Sequence, residues 1–284
     1  MFRKILVPVR GDGKGDNVFG HAVAIAKRFK AHIEVTHCRP RPDDMLPFGV
    51  PVPAFLKEML VKQAGQLDDN EENRLHNEFS VLVAEYGLKE AKGPNSDGPT
   101  ASWVEELGKQ IDVIKHHGRL SDLICVAKPD RDRNLGANTL KTALFNTGSP
   151  VMMCPPGNTP PKVLGEHVSI AWNGSTEAAR AVALTMDMIT KAKKVTVLSA
   201  GDENHGATVD DLIEYLSVRG VKVQIERFVA KKKIGLELLE RSQAAGADLM
   251  IMGAYGDSHE SEAVFGGNTQ VIVDNAQIPV VFVH

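Results

Sequence analysis

The same sequence pattern occurs twice in this chain, and that repeat limits its fold more than any other feature. KILVPVRGDG at 4–13 matches HVSIAWNGS at 167–175, and SDLICVAKPD at 121–130 matches ADLMIMGAYGD at 247–257. Each copy closes with a proline and a short apolar run, which is VMMC in the first and VVFV in the second. The repeat predicts two similar domains, 1–155 and 166–284.

Two proline-rich stretches interrupt this pattern. PPGNTPPKVLGE at 155–166 has four prolines and two glycines, which predicts a restricted linker between the domains. RPRPDDMLPFGVPVPAF at 39–55 has five prolines and no helical period, and a long helix is expected after it, from about 57 to 84. A lid, a partner-binding flap and a packing loop all fit this insertion, and packing is favoured because it has no polar constellation.

Each copy alternates short apolar strands with amphipathic helices, as expected for a parallel sheet covered by helices on both faces. The fold class predicted is therefore α/β, with two tandem doubly wound domains and a parallel five-stranded sheet in each. In the second copy, strands are expected near 168–172, 194–199, 221–228, 247–252 and 279–283. Helices are expected near 176–191, 207–219, 233–245 and 267–275.

A spaced set of glycines lies between the last two strands of the second copy, at Gly253, Gly256 and Gly266. A glycine loop between a strand and a helix can wrap an anion, because backbone N–H donors and the helix N-terminus both favour negative charge. A nucleotide phosphate is the first hypothesis. Tight turns alone would also explain the glycines.

These segments resemble the tandem members of the universal stress protein (UspA) family, whose domain opens with a strand ending in Asp-Gly-Ser and carries a nucleotide loop G-x2-G-x9-G-[S/T]. WNGS and GAYGDSHESEAVFGGNT match these motifs, and the resemblance covers nearly the whole chain. It implies a Rossmann-like fold of the adenine nucleotide alpha hydrolase type. It also implies a stress-response function, with ATP or another adenine nucleotide at the carboxyl edge of the second sheet.

Carried over by position, the resemblance implies a set of nucleotide-binding residues: Asn173, Ala200, Gly253, Gly256, Gly266, Gly267 and Thr269. Asn173 replaces the usual Asp, and the backbone of Ala200 is the expected adenine contact. Gly267 stands where the family has Ser or Thr. Thr269 could supply that hydroxyl, although a shift of two residues turns a side chain by about 200° around a helix.

Charge separates this loop from the family pattern. Asp257, Glu260 and Glu262 lie between its glycines without any Lys or Arg, and His259 is its one group that could become cationic. Such a loop would bind a triphosphate weakly unless a divalent ion such as Mg²⁺ inverted the charge balance. In the first copy, Pro129 stands close to where a loop glycine should be, so this copy is expected to have lost nucleotide binding.

Two functions from different classes remain open. One is a nucleotide-responsive stress protein whose surface is read by unidentified protein partners, and the other is a nucleotide-independent scaffold with a relic glycine loop. The sequence has no G-x-S-x-G, Walker A, HExxH or CxxC motif, and the adjacent His116 and His117 cannot form a chelate. No catalytic residue or metal site is expected, and slow ATP hydrolysis is the most that a bound nucleotide would undergo.

Composition and targeting signals narrow the setting. A net charge of −3 gives no electrostatic case for nucleic acid or an anionic membrane. No signal peptide and no membrane span of roughly 18 apolar residues is recognisable, so a cytoplasmic protein is expected. The three cysteines are read as small buried hydrophobes. The closing strands of the two copies are expected to pair within one chain, and a homodimer would need another surface.

Overall fold

The computed structural model describes residues 2–9, 15–39, 72–95, 97–157, 159–201, 206–256 and 267–284. Its strands are β1 Lys4–Val9, β2 His32–Arg39, β3 Lys89–Glu90, β4 Thr100–Leu107, β5 Leu123–Ala127, β6 Val151–Cys154, β7 His167–Trp172, β8 Lys194–Ala200, β9 Val223–Phe228, β10 Leu249–Gly253 and β11 Val280–Val283. Its helices are α1 Gly15–Phe29, α2 (residues 72–85), α3 Gln110–Gly118, α4 Ala137–Asn146, α5 Thr176–Leu184, α6 Met186–Lys191, α7 Val209–Ser217, α8 Ile234–Ala244 and α9 Gly267–Asn275.

All eleven of these strands form one sheet, in the order β3-β4-β2-β1-β5-β6-β11-β10-β7-β8-β9. Neighbouring strands are parallel within each half, where the first half means β1–β6 with α1–α4 and the second means β7–β11 with α5–α9. The predicted α/β class with two doubly wound units is confirmed. The first half departs from five strands because β3 adds a two-residue edge strand beside β4.

Helices cover both faces of the sheet, because each central strand is apolar on both sides. In β1, Ile5 and Val7 pack on the face covered by α1, α2, α5, α6 and α7, whereas Leu6 packs on the opposite face under α3, α4, α8 and α9. The edge strand β9 instead has only exposed and half-buried residues. The core therefore runs as two continuous layers through both halves.

The halves meet at the antiparallel pair of β6 and β11, in which Met152 pairs with Val281 and Val151 with Phe282. Both strands are fully buried. The expected pairing of the closing strands within one chain is confirmed, and it joins two parallel sheets into one. It also covers two edges that would otherwise present unpaired backbone groups.

The predicted single helix over 176–191 is wrong in one respect, because it breaks at Thr185 into α5 and α6. The Thr185 hydroxyl donates to the Ala181 carbonyl at 2.6 Å, and its backbone leaves helical geometry at ψ 15°. Such local side-chain bonding competes with the helical ladder. The boundaries of α9 agree with the predicted 267–275.

The predicted roles of the cysteines are confirmed for Cys125 and Cys154, which are buried and unpaired by disulfides. Cys38 is only partly buried, and its thiol lies 3.2 Å from the Gly108 carbonyl oxygen. Most of the proline-rich insertion at 39–55 lies outside the described residues.

Candidate functional site

Three of the predicted site residues lie together at the carboxyl edge of the second half. The order β10-β7-β8 places these strands side by side, with Met252 paired to Ala171 and Trp172 paired to Ser199. The residues that follow these pairs are therefore neighbours: Gly253, Asn173 and Ala200. Open α/β sheets bind ligands at this edge, in the crevice outside the strand ends.

Asn173 begins a polar turn into α5. Its exposed side chain accepts a hydrogen bond from the Ser175 N–H through Oδ1 at 3.2 Å, and the Ser175 hydroxyl accepts one from the Ala178 N–H at 3.2 Å. Between them, Gly174 has φ +76°, and a Cβ there would lie 2.6 Å from the Ala207 carbonyl oxygen. The segment is shaped to start α5 at the sheet edge, where unpaired helix N–H groups favour an anion.

Gly253 is required by packing against α5. A Cβ at this position would lie 2.5 Å from the Ala178 nitrogen and 2.5 Å from the Glu177 carbonyl carbon. Real side chains essentially never approach backbone this closely, and neither atom can swing aside as a side-chain tip would. The first loop glycine therefore has a structural function that needs no ligand.

Gly256 faces a carboxylate instead. A Cβ on Gly256 would lie 2.7 Å from Oε2 of Glu177, in the first turn of α5. Glu177 was not among the predicted site residues, because its sequence position is typical of an acidic residue that complements a helix dipole. Its contact with the loop follows from the way α5 packs across β10, which sequence periodicity does not reveal.

The loop backbone between these glycines is held by neighbouring elements. The Ala254 N–H donates to the Val283 carbonyl at 2.8 Å, and the Tyr255 N–H donates to the Thr269 hydroxyl oxygen at 3.3 Å. Tyr255 itself has φ +61°, which an aromatic residue rarely adopts. Two loop residues are thus fixed by β11 and α9.

Thr269 is buried, and its oxygen accepts the Tyr255 N–H rather than lying open at the edge. This bond braces the loop, and the use of the Thr269 hydroxyl for a ligand stays a prediction. Gly267 opens α9 with φ +53° and is exposed, with open space where a Cβ would stand. Gly266 and the acidic residues Asp257, Glu260 and Glu262 lie outside the described residues, as does His259.

The corresponding loop of the first half, the β5–α4 loop (residues 128–136), closes on itself. Asp130 and Leu135 exchange two backbone hydrogen bonds of 2.9 Å each, and the Arg133 N–H donates to Oδ1 of Asp130 at 3.2 Å. Gly136 has φ +88°, and a Cβ there would lie 3.2 Å from the Cα of Pro129. The backbone N–H groups of Asp130, Arg133 and Leu135 are therefore used within this loop.

No group of three or more His, Cys, Asp or Glu side chains within the described ranges has the geometry to hold a metal ion. His117 meets two carboxylates rather than forming a chelate with His116, because Nδ1 lies 2.8 Å from Glu34 and Nε2 lies 3.1 Å from Glu106. No helix of the described part of the chain is both long and apolar enough to cross a membrane.

Comparison with known sequences finds a family match within the second half. Residues 198–284 match the model of the Universal stress protein family. No match was found among curated proteins. This matched segment contains the carboxyl end of β8, the β10–α9 loop (residues 254–266) and β11.

Solved structures match the chain over almost its whole length. A universal stress protein from Archaeoglobus fulgidus DSM 4304 has a TM-score of 0.70 at 14% identity, covering 99% of this chain and 95% of that one. One described as a putative universal stress protein, from Pseudomonas aeruginosa UCBPP-PA14, has a TM-score of 0.55 at 18% identity, covering 99% and 93%. At these identities the likeness shows the fold of the whole chain.

Proposed function

We propose that this protein binds an adenine nucleotide in its second half, because residues 198–284 match the Universal stress protein family and the whole chain has the fold of a solved universal stress protein. The observation that carries the proposal is the convergence of the glycine loop and the N-terminus of α5 at one sheet edge. In the proposed stress-response function, unidentified protein partners in the cytoplasm would read the nucleotide-dependent state of this edge.

The proposed contacts follow from which groups lie at the edge. Asn173 and Ala200 leave adjacent strands, and a ligand's adenine or ribose would lie beside them. The phosphates would lie toward Gly256 and Gly267, where the chain has no side chain and two helix N-termini begin nearby. Gly266 completes the sequence motif, and Thr269 supports the loop from below through its bond to Tyr255.

Glu177 limits the charge that this edge accepts. Its carboxylate stands against Gly256, so a phosphate there would meet a negative charge at short range. One such contact near 4 Å costs about 1 to 4 kcal/mol, depending on the local dielectric, whereas a helix N-terminus returns about 0.3 to 2 kcal/mol. We therefore propose that a triphosphate binds weakly unless Mg²⁺ accompanies it, and that a nucleotide with fewer phosphates binds with less repulsion.

A binding function is proposed rather than a catalytic one. Asn173 and Ser175 are bonded within the turn into α5, and the Nδ1 of His284 lies 3.0 Å from the Ala254 carbonyl oxygen, so these bonds do not make a nucleophile and base pair. Slow ATP hydrolysis in the bound state is the most that this arrangement supports.

A nucleotide-independent scaffold is the second candidate, and one observation favours it. Gly253 is explained entirely by its packing against α5, so part of the glycine motif would persist without any ligand. In that function the eleven-stranded sheet presents two fused domains to a partner, and the glycine loop is a relic.

Thermal unfolding with ligand separates the two candidates. Millimolar ATP with Mg²⁺, or ADP, should raise the melting temperature by mass action if the native state binds it. The variant Gly256→Val should abolish the rise, because a branched side chain obstructs the backbone approach. Gly157→Val is the matched control, since open space surrounds Gly157 and its substitution should leave the rise intact.

The Gly256→Val protein should still fold, because the nearest atom to the added Cβ is the tip of the flexible Glu177 side chain. An unchanged melting temperature of the wild type at millimolar ATP, ADP and AMP would support the scaffold. A full ligand-induced rise in Gly256→Val would move the binding site away from this loop.

A further inference from the structure

An aromatic contact joins the first half to the candidate nucleotide loop of the second. The ring of Phe145, on α4, lies 5.1 Å from the ring of Tyr255 and 4.8 Å from the ring of His284 between ring centroids. Phe145 therefore crosses the β6–β11 boundary and packs against the loop residue that stands between Gly253 and Gly256. Burial raises the pKa of the Tyr255 phenol, with the Asp274 carboxylate acting in the same direction.

Tyr255 needs such a contact because its backbone is strained. Its φ of +61° is a left-handed conformation that costs free energy in a bulky residue and persists where surrounding groups enforce it. The Thr269 hydroxyl and the Phe145 ring hold its N–H and its side chain, respectively. His284 also holds the preceding residue, because its Nδ1 lies 3.0 Å from the Ala254 carbonyl oxygen.

The first half also holds the far end of α9, the helix that follows the loop. The Lys128 ammonium donates to the Ala276 carbonyl at 3.1 Å, where the partial negative charge of the helix dipole lies. Arg131 forms an ion pair with Asp274, on the last turn of α9, at 2.7 Å. Both cations belong to the β5–α4 loop, in which Asp130 and Leu135 are bonded to each other.

We propose that the first half positions residues 254–256 at the start of the glycine loop, with Phe145 setting the conformation of Tyr255 and Lys128 fixing α9. In this proposal, the first half supports the loop of the second half. Phe145 is a positioning residue, since it acts on a ligand through Tyr255 rather than by contact. The consequence for nucleotide affinity rests on the proposed function, whereas the consequence for loop conformation does not.

Amide hydrogen exchange in the full-length protein tests the conformational step without any ligand. In Phe145→Ala, exchange at Tyr255, Gly256 and the first turn of α9 should become about two- to tenfold faster, the range expected from losing one aromatic pair. Phe145→Leu, which keeps part of the apolar contact, should give a smaller change. Phe79→Leu is the control, because Phe79 belongs to the first-half core on the opposite face of the sheet.

If Phe145 contributed only to overall stability, its loss would lower the melting temperature without a selective increase of exchange in the loop. Phe79→Leu provides the exchange pattern expected from such a general loss of stability. Loop exchange that stays at the wild-type rate in both Phe145 variants would overturn the proposal. So would equal acceleration in Phe79→Leu, because the effect would then be global.

Titration with ADP and with ATP plus Mg²⁺ then tests the functional step. Weaker binding by Phe145→Ala, by about two- to tenfold, with wild-type affinity in Phe79→Leu, is the expected result. Unchanged affinity in Phe145→Ala would overturn the positioning role while leaving nucleotide binding in place. Wild-type protein that binds neither nucleotide would instead refute the proposed function, and the exchange measurements would still decide whether the first half positions the loop.

Discussion

Apart from the edge strand β3, the two halves have the same strand order, but the loops that follow the equivalent strands β5 and β10 are held in different ways. After β5, the chain folds back on itself, with Asp130 and Leu135 bonded to each other. After β10, the chain instead contacts neighbouring elements, because Gly253 packs against α5 and the Tyr255 N–H is bonded to Thr269 on α9. The conformation of the first loop is set partly by its own backbone bonds, whereas that of the second is set by bonds and packing with α5, α9 and β11.

This difference shows that two halves with the same fold can differ in the conformation of equivalent loops. Ala127 and Gly253 end equivalent strands, since Lys128 and Ala254 each donate the next backbone bond to the closing strand of their own half. One position carries a Cβ and the other has no room for one. Equivalent strand ends therefore have different packing requirements in the two halves.

Exchanging the residues at these two positions should give the largest effect. Gly253→Ala places a Cβ 2.5 Å from the backbone of α5, so the helix must shift, and we expect a loss of about 1 to 3 kcal/mol in the free energy of unfolding. Ala127→Gly removes a Cβ from a strand end and should cost less than about 1 kcal/mol. Urea unfolding of both variants measures the difference. Equal losses would show that α5 yields freely to a side chain at 253.

A second difference between the halves is the side-chain pairing between their first two strands, β1 and β2 in the first half and β7 and β8 in the second. In the first half, Glu34 lies 2.8 Å from both Lys4 and His117, whereas in the second half His167 meets the neutral Thr196 at 2.8 Å. Bonds from His117 and Lys4 outweigh burial and lower the pKa of Glu34 from 4.5 to about 2. The Glu34 bond, followed by the Glu106 bond, raises the pKa of His117 above 6.5 against the effect of burial.

These shifts predict a pH window for the first half. A lowered carboxyl pKa contributes stability that is present above pH 4.5 and is lost as pH falls toward about 2. A raised histidine pKa contributes stability below pH 6.5 that is lost as pH rises through its folded value. The loss of stability in Glu34→Gln should therefore be largest between pH 4.5 and 6.5, at about 2 kcal/mol after allowing for solvent screening.

Thr196→Val provides the matched test in the second half. It removes the partner of His167 without removing a carboxylate, so its effect on unfolding should stay constant between pH 4.5 and 3. Unfolding curves at several pH values measure the stability that each variant loses relative to the wild type. The comparison is contradicted if this loss depends on pH in the same way for Glu34→Gln and Thr196→Val.

The sequence revealed the framework of this molecule and left out the contacts between its parts. The repeat and the apolar alternation predicted the parallel sheets and the pairing of β6 with β11, because both depend on local pattern and on the need to cover strand edges. The helix break at Thr185 depends on one hydroxyl bond that has no periodic signal.

For the candidate site too, the sequence predicted features that follow from local pattern and missed those that depend on tertiary packing. Glycine spacing and strand ends predicted that Asn173 and Gly253 lie at one edge, because parallel strands bring their carboxyl ends together, and the family resemblance added Ala200. Glu177 was missed, since its contact with Gly256 arises from helix-to-strand packing. The left-handed conformation of Tyr255 was also missed, because nothing in a Tyr codes for a positive φ.

Neutralising the carboxylate beside the loop should strengthen binding of phosphates. Glu177→Gln removes the repulsion at Gly256, and we expect about tenfold tighter binding of ATP without Mg²⁺, with a smaller gain when Mg²⁺ is present. Its stability should fall slightly, because Glu177 complements the dipole of α5. Calorimetric titration measures the affinity.

Asp16→Asn is the counterpart in the first half, since Asp16 occupies the first turn of α1. It should leave nucleotide affinity unchanged. Equal gains in Asp16→Asn and Glu177→Gln would mean that net charge, rather than the loop contact, governs binding.

The smallest expected effects distinguish the two cations by which the first half holds α9. Lys128 is half-buried, and burial lowers the pKa of its ammonium while Asp274 acts in the opposite direction. Lys128→Met should cost about 1 kcal/mol of unfolding free energy, because the Ala276 carbonyl loses a charged donor at a helix C-terminus. Arg131 is exposed, so Arg131→Met should cost less than about 0.5 kcal/mol.

In 0.5 M salt the Arg131 effect should vanish by screening, while that of Lys128 persists because its bond is partly shielded from solvent. Urea unfolding at two salt concentrations measures both, and an Arg131 loss as large and salt-resistant as that of Lys128 would place the support for α9 in the ion pair instead.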